Sequence, residues 1–383
     1  VARRRHVALD EIVARARQIA EQSSFNTVTE PSAPTDLGII VSGVSRNYLA
    51  DALASNDWTD RVRVLELGMT WPLPEEKICT FLNQCKRVLV LEEGEDLLEQ
   101  DIRALAQKRG LTVVIDGKND ILTHQGEYST TLVTRDLAQW LGVSCNVQEP
   151  RSAEPDLPGR PPNLCPGCSH RAVYYTVRQI FGDDAYYSSD IGCYTLGLLP
   201  PLRTADFLVC MGSSISAGSG FARASEKPVI AFIGDSTFFH SGITGLIDAV
   251  AYNHDILIVI LDNRTTAMTG HQPHPGTGRT MMGNMTEKLH IDQVLAGCNV
   301  KCIKKANPLQ LEEAVAAVTE AVAFPGVSVV IFEEPCIALF KSRPKLQVDA
   351  AKCVGCRRCV QEIGCPAISL TAAGKALIDE NLC

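Results

Sequence analysis

The stretch VIAFIGDST at residues 229–237, taken together with ILIVILDN at residues 256–263, decides the fold of this chain. Each stretch contains a short apolar run typical of a buried β-strand, and the residues between them are typical of a helix. Two strands joined through a helix predict a parallel pair, because parallel neighbours need a long crossover connection. Asp235 and Asn263 then follow the carboxyl ends of these strands, where open α/β sheets bind ligands. Their side-chain oxygens suit Mg²⁺, which binds a few protein oxygens and completes its shell with phosphate oxygens and water.

The composition of the whole chain limits what it can be. Its 383 residues suggest two or three domains, and a hydrophobic fraction of 45% is ample for buried cores. No apolar run approaches the roughly 20 residues of a membrane span, and no secretory signal is visible near the start. The net charge of −8 gives no support to nucleic-acid binding. We therefore expect a cytoplasmic protein, and the ends at Val1 and Cys383 suggest a piece of a longer polypeptide.

Alternating strand and helix patterns predict two α/β blocks. In the first block, residues 36–148, the apolar runs lie at residues 37–42, 62–67, 87–91 and 111–115. Helical patterns between these runs predict a parallel sheet. Residues 1–35 have helical spacing followed by a proline-rich break, so we predict a helical linker there.

A proline-rich segment separates this block from the rest of the chain. Residues 149–163 contain five prolines and are predicted to be a linker. A second α/β block is expected over residues 164–345. Residues 346–383 are rich in cysteine and poor in helical pattern, which suits a small cluster-binding module.

The fifteen cysteines fall into different classes. An odd number in a large chain without a signal peptide makes a poor disulfide framework. We expect six of them to be small buried hydrophobic residues: Cys79, Cys85, Cys145, Cys210, Cys298 and Cys302.

The pair Cys165-x-x-Cys168 has the spacing of a metal site. Two cysteines separated by two residues can start the ligand set of an iron–sulfur cluster or of a zinc ion. A pair without any metal is the third interpretation, and the spacing alone leaves all three open.

The run Cys353-x-x-Cys356-x-x-Cys359 is a stronger signal and is followed by Cys365-Pro366. It follows the bacterial ferredoxin pattern, in which the cysteine before proline is a ligand of the other cluster. The first three cysteines are thus predicted to bind one [4Fe–4S] cluster, and Cys365 with Cys383 to serve the second. Five residues separate Cys359 from Cys365 where three are usual, and a zinc knuckle is the alternative.

The turn at Gly234-Asp235-Ser236 resembles the Gly-Asp-Gly…Asn-Asn signature of thiamine-diphosphate enzymes, with Ser236 and Asp262 as departures. The resemblance implies that Asp235, Asn263 and the carbonyl of Thr265 bind Mg²⁺. We expect the other cofactor contacts to come from the turn itself, from the small-residue loop upstream and from the loop downstream, at Gly212, Ser213, Ser214, Gly234, Ser236 and Met268.

Histidines flank the predicted cofactor loops at positions 240, 271 and 274. A histidine beside a charged intermediate can act as an acid, a base or a hydrogen-bond donor, so His240 and His271 are candidate catalytic residues. A lone histidine is more often a satisfied polar residue. Met268, Met281, Met282 and Met285 are expected to pack or to form a lid.

Four runs of the chain resemble the α-subunit family of indolepyruvate:ferredoxin oxidoreductases. They are GVSRNY (43–48), CPGCSHR (165–171), DSTFFHSGI (235–243) and DNRTTAMTGHQPHPG (262–276). The resemblance implies two doubly wound parallel-sheet domains, one transketolase C-terminal-like and one thiamine-diphosphate-binding, plus a truncated ferredoxin-like module. It also implies that Cys193 and Cys336 join Cys165 and Cys168 around a [4Fe–4S] cluster near the cofactor.

The function implied by this family is oxidative decarboxylation of aryl 2-oxoacids with CoA, giving aryl-acetyl-CoA and CO₂, with electrons passing through [4Fe–4S] clusters to ferredoxin. The family also implies a separate β subunit, and a cofactor-activating glutamate from a domain ahead of residue 1. Another 2-oxoacid:ferredoxin oxidoreductase is one alternative. A non-oxidative thiamine-diphosphate decarboxylase would leave the cysteine runs unexplained, and an electron carrier would leave the metal–diphosphate turns unexplained.

Overall fold

The computed structural model describes residues 2–118, 120–145, 147, 159, 161–340 and 346–383, and the chain divides into two compact units, Val1–Pro158 and Gly159–Cys383. Within the described ranges, none of the helices has both the length and the apolar character that crossing a bilayer requires.

The first unit is built on a five-stranded sheet with the order β1-β3-β2-β4-β5. Its strands are β1 (Asn26–Thr29), β2 (Leu37–Ser42), β3 (Arg63–Leu67), β4 (Arg87–Leu91) and β5 (Val114–Asp116). Strands β2 to β5 are parallel, and β1 runs antiparallel to β3. Its helices are α1 (Ala2–Gln22), α2 (Ser45–Ser55), α3 (Glu75–Asn83), α4 (Leu97–Lys108) and α5 (Thr130–Leu141).

The second unit contains a fully parallel five-stranded sheet with the order β6-β7-β8-β10-β9. Its strands are β6 (Tyr186–Ser188), β7 (Val229–Gly234), β8 (Ile256–Asp262), β9 (Cys302–Ala306) and β10 (Val327–Glu333). The helices are α6 (His170–Phe181), α7 (Ser213–Ala224), α8 (Asp235–Thr237), α9 (Ile243–Ala251), α10 (Ile291–Gly297) and α11 (Leu311–Val322). A short antiparallel hairpin, β11 (Ile368–Leu370) with β12 (Ala376–Ile378), lies in the cysteine-rich tail.

Both faces of the second sheet are buried, which explains its uninterrupted apolar strands. Along β7, Ile230 and Phe232 belong to one core cluster, while Ala231 and Ile233 belong to another. This alternation is the period of two that side chains follow along a strand. The predicted parallel-sheet α/β class is therefore confirmed, whereas the ferredoxin-like module stays a prediction.

Two local expectations need correction. Residues 26–29 form an edge strand of the first sheet rather than part of a purely helical segment. Cys210 is exposed in the loop before α7, so the prediction that it is a buried hydrophobic residue is wrong.

Candidate functional site

The predicted metal ligands meet at the carboxyl ends of β7 and β8. Gly234 is paired with Leu261 in the sheet, so Asp235 and Asn263 leave neighbouring strands at nearly the same level. Asp235, Asn263 and Thr265 are 3%, 8% and 5% exposed, and all three line one cavity. The structure thus brings together three oxygen-bearing residues at a buried position.

Asp235 is held by its own turn and by the β8 loop. Its Oδ1 accepts a hydrogen bond from the Ser236 amide at 2.7 Å, and its Oδ2 accepts one from the Arg264 amide at 2.7 Å. The His274 Nε2 atom lies 3.1 Å from Oδ2, but it is buried without an aligned hydrogen-bond partner. His274 Nδ1 accepts from the Gly276 amide at 3.2 Å, which leaves the proton of the neutral ring on Nε2.

The carboxyl group of Asp262 lies beside that of Asp235. Burial, together with the charge and the hydrogen bond of Asp235, raises the pKa of Asp262 to about 6. When two carboxyl groups lie this close together, ionisation of both is unfavourable because their negative charges repel. A bound cation offsets this repulsion. The donor set therefore fits a divalent metal ion, and Asp262 adds a charge that the sequence signature does not have.

The loop that follows β8 also fixes the positions of the other turn residues by hydrogen bonds. The Thr265 amide donates to Asn263 Oδ1 at 3.2 Å, and the Thr266 hydroxyl donates to Ser236 Oγ at 2.8 Å. Ser236 therefore ties the two turns together. Met268 is 48% exposed and lines the same cavity as Gly234 and Ser236.

The small-residue loop before α7 already donates hydrogen bonds to a carboxyl group of the protein itself. The Oδ2 atom of Asp190 accepts hydrogen bonds from the Gly212 amide at 3.0 Å, the Ser214 amide at 3.4 Å and the Ser214 hydroxyl at 2.8 Å. Asp190 is fully buried, and burial raises its pKa while these hydrogen bonds oppose the rise. The prediction that the Gly212 and Ser214 amides approach a diphosphate needs this correction, because a carboxylate occupies them; Met211 is the residue of this loop that lines the cavity.

Tyr194 forms part of the cavity wall beneath Gly234. Its hydroxyl donates to Asp190 Oδ1, and a Cβ atom on Gly234 would lie 2.6 Å from the Tyr194 ring. A Cβ atom on Gly192 would lie 2.2 Å from the same ring. Both glycines are therefore needed for the ring to pack against the backbone.

The four cysteines predicted to surround a cluster line a second cavity, together with Leu164, Leu196 and Ile337. Cys168 is joined to Cys165 by a backbone hydrogen bond of 3.2 Å, and the Cys336 amide donates to the Asn263 carbonyl at 2.9 Å. Burial raises the pKa of the Cys168 thiol to about 12, while the His170 amide, which donates to its sulfur, opposes the rise. Sulfur ligands in an apolar pocket with an amide donor fit the needs of an iron–sulfur cluster.

The two cavities share a wall made of His170, Cys193, Asn263 and Ala267. His170 is 3% exposed, and burial lowers its pKa to about 4, so its ring is neutral at physiological pH. His170 was not among the residues predicted from the sequence. Its position two residues after Cys168 is the signal that could have identified it.

The candidate catalytic histidines occupy different places. His271 is exposed, has a φ of 64° and lines the cysteine cavity. His240 is exposed in the π-helical turn Phe238–Gly242 and lines neither cavity. Met281, Met282 and Met285 are 70%, 87% and 76% exposed, so they are not buried among the residues that the structure describes.

The tail cysteines are partly or fully exposed. Cys353 Sγ accepts a hydrogen bond from the Ala376 amide at 3.4 Å, and Cys359 begins the π-helical turn Cys359–Ile363. Among the described residues, no three cysteine sulfurs lie within 4.8 Å of one another, whereas Glu95, Asp96 and His124 in the first unit offer ligand atoms that close.

Comparisons with known proteins place these residues in context. The C-terminal thiamine pyrophosphate-binding domain of thiamine pyrophosphate enzymes matches residues 190–332. The chain is 40% identical to the indolepyruvate oxidoreductase subunit IorA of Methanothermobacter marburgensis, over 98% of this chain and 61% of that protein. It is 38% identical to the IorA subunit of Archaeoglobus fulgidus, over 94% of this chain and 59% of that protein. The chain thus spans less than two thirds of the length of these curated relatives.

A solved structure with a similar arrangement is a 2-oxoglutarate:ferredoxin oxidoreductase from Magnetococcus marinus, with 2-oxoglutarate, coenzyme A and succinyl-CoA bound. The similarity has a TM-score of 0.42 at 17% identity and covers 50% of this chain and 69% of that chain.

Proposed function

We propose that the chain belongs to the family of the indolepyruvate oxidoreductase subunit IorA and works in the oxidative decarboxylation of aryl 2-oxoacids such as indolepyruvate. One 2-oxoacid, one CoA and two oxidised ferredoxins would give one acyl-CoA, one CO₂, two reduced ferredoxins and one proton. The observation that carries the proposal is the shared wall between an oxygen-ligand cavity and a four-cysteine cavity.

The first cavity is the proposed thiamine-diphosphate site. Asp235, Asn263 and the carbonyl of Thr265 would hold Mg²⁺, and Gly234, Ser236 and Met268 would contact the cofactor. The unpaired His274 Nε2 orients toward Asp235 and would fix the carboxylate for the metal. When bound, thiamine diphosphate supplies the electron sink that a 2-oxoacid needs in order to lose CO₂.

The second cavity is the proposed proximal [4Fe–4S] site, with Cys165, Cys168, Cys193 and Cys336 as ligands. The clusters predicted for the tail would receive electrons from it and deliver them to ferredoxin. His271 lines this cavity and remains a candidate proton donor, whereas we assign no role to His240. The second subunit, CoA and the cofactor-activating glutamate would come from outside this chain.

The metal assignment is tested in the full-length enzyme with its partner subunit. Asp235→Asn is expected to weaken thiamine-diphosphate binding in the presence of Mg²⁺ about 100-fold, or about 2.7 kcal/mol, because the metal loses a charged ligand. The matched control is Asp248→Asn, which changes an exposed carboxylate on α9. Equal cofactor affinity in the two variants would refute the assignment.

The substrate class is tested by steady-state rates with indolepyruvate, phenylpyruvate and pyruvate, following acyl-CoA and reduced ferredoxin. Higher kcat/KM for the two aryl substrates is expected. Preference for pyruvate would point to another 2-oxoacid:ferredoxin oxidoreductase, and release of an aldehyde without ferredoxin reduction would point to a non-oxidative decarboxylase.

A further inference from the structure

A buried arginine connects the cysteine-rich tail to the parallel-sheet core of the second unit. Arg171, the second residue of α6, is 3% exposed. Its Nη1 donates to the Ile363 carbonyl at 3.0 Å, and its Nη2 donates to the Leu164 carbonyl and to Asn163 Oδ1, both at 2.7 Å. A guanidinium group is costly to bury unless its donors are used, so these bonds need both backbone segments in place.

The two carbonyl partners belong to the two cysteine groups. Leu164 directly precedes Cys165, and Ile363 precedes Cys365 by two residues. Burial lowers the pKa of Arg171, while the nearby Cys365, Cys168 and Cys165 oppose this shift. One rigid fork therefore joins the turn that carries the proposed proximal ligands to the turn that carries a proposed tail ligand.

The surrounding contacts follow a single face of α6. Arg171, Tyr175 and Gln179 are spaced four residues apart and so lie on one side of the helix. The Arg358 Nη2 atom donates to the Tyr175 hydroxyl at 2.9 Å, and Gln179 Nε2 lies 3.4 Å from Glu362 Oε2. These outer contacts are exposed and contribute little, so the attachment of the tail turn to α6 depends mostly on the buried guanidinium of Arg171.

Pro201 closes the other side of the tail turn. Gly364 has a φ of 62°, and a Cβ atom at this position would lie 2.5 Å from Pro201 Cδ. The tail backbone thus approaches the core too closely for any side chain there. The docked position of this turn is specific rather than a loose surface contact.

We propose that Arg171 is a positioning residue that locks the tail turn of residues 359–365 onto α6 and thereby fixes the distance between the proximal cluster and the cluster bound by Cys365. The cluster part of this statement rests on the proposed function. Each electron would leave the reduced proximal cluster, which is oxidised, and would reduce the tail cluster, with no atom transferred. A fixed distance matters because the rate of electron transfer between two clusters falls as the distance between them grows.

The docking is tested by hydrogen–deuterium exchange in the full-length enzyme with its partner subunit. Arg171→Met removes the donors, and Arg171→Lys keeps the charge but loses the fork. Both variants are expected to exchange about tenfold faster in peptides covering residues 359–368, with residues 229–234 unchanged. Arg223→Met, at an exposed position of α7, is the control and should exchange like the parent enzyme.

Unchanged protection of residues 359–368 in a folded Arg171→Lys or Arg171→Met enzyme would overturn the proposal. Should Arg171→Met fail to fold, Arg171→Lys alone decides the question. The exchange measurement requires neither the cofactor nor the clusters. It therefore tests the docking by Arg171 even if the purified enzyme contains no thiamine diphosphate and no iron, a result that would refute the proposed function.

Redox titration monitored by electron paramagnetic resonance separates positioning from charge. Reduction adds negative charge to a cluster, so removing a nearby cation lowers the potential. Arg171→Met should therefore lower the midpoint potential of at least one cluster, whereas Arg171→Lys should keep the midpoint potentials of the parent. In Arg171→Lys the rate of tail-cluster reduction, followed by rapid freeze-quenching after mixing with 2-oxoacid and CoA, should fall. Parent-like reduction of the tail cluster in Arg171→Lys would refute the electron-transfer part of the proposal.

Discussion

Tyr194 shows how a single ring shapes the floor of the proposed cofactor cavity. Gly234 has a φ of −79°, which any residue can adopt, so its requirement for glycine comes from the ring and not from the backbone. We expect Gly234→Ala to lower the free energy of unfolding by about 1–3 kcal/mol, because the methyl group overlaps the ring. Chemical denaturation of the cofactor-free protein measures this loss.

The same substitution in a Tyr194→Leu background provides the control. The smaller side chain leaves room for the methyl group, so the penalty for Gly234→Ala should fall there. A penalty that is identical in the two backgrounds would show that Tyr194 is not the cause.

Asp190 is the second residue on which the site depends. Asp190→Asn replaces one of the two acceptor oxygens with an amide NH₂ group, which then faces either the Tyr194 hydroxyl or the donors of Gly212 and Ser214. Losing partners for buried polar groups costs about 1–3 kcal/mol per group, so we expect α7 to fray at its first turn. Faster hydrogen exchange at residues 213–217 measures this, with the exposed Asp184→Asn as control; equal exchange in the two variants would contradict the prediction.

At this scale the sequence predicted the positions of Asp235 and Asn263 correctly relative to each other, because strand ends of a parallel pair are set by local pattern. It could not show that Asp190 occupies the amides of Gly212 and Ser214. A helix N-terminus attracts any anion, and the sequence does not say which anion folding will deliver to it.

Strand β1 illustrates the scale of elements. Of its four residues only Asn26 is buried, and its side chain donates to the Ala20 carbonyl at 2.9 Å and accepts from the Met69 amide at 2.9 Å. A single buried polar residue gives no alternation of apolar and polar positions, which is why the sequence predicted a helical segment here. The parallel strands β2 to β4 were predictable because they are apolar over most of their length.

Asn26→Ala should therefore release both β1 and the end of α1. We expect a loss of about 1–3 kcal/mol, since buried amide and carbonyl groups lose their partner. Hydrogen exchange at residues 26–29 and 64–67 should accelerate, while the exposed Thr27→Ala leaves it unchanged. Slow exchange of these residues in Asn26→Ala would show that the ladder to β3 is sufficient without the side chain.

At the scale of the whole molecule, the fold class was predictable because each strand–helix repeat carries its own pattern. The meeting of Cys165, Cys168, Cys193 and Cys336 at one cavity depends on residues more than 160 positions apart in sequence, and the family resemblance rather than periodicity suggested it. The docking of the tail on Arg171 joins positions 192 apart and had no local signal.

Metal analysis of the full-length enzyme tests the cysteine cavity. Cys168→Ser should lower the iron content by about four atoms per chain, because the proposed cluster would lose a thiolate ligand. Cys302→Ser changes a buried cysteine of β9 and should keep the parent iron content. Loss of zinc instead of iron would support the zinc site, and no loss of either metal would support a cavity without metal.

The wall that His170, Cys193, Asn263 and Ala267 share makes this region pleiotropic. A larger side chain at position 267 would intrude into both cavities. A single genetic change would therefore alter the proposed cofactor site and the proposed cluster site together. Combinations of variants along this wall should show epistasis, since the effect of one substitution depends on which neighbouring side chains are already changed. Selection could then adjust one chamber only within limits set by the other, which couples their evolutionary histories.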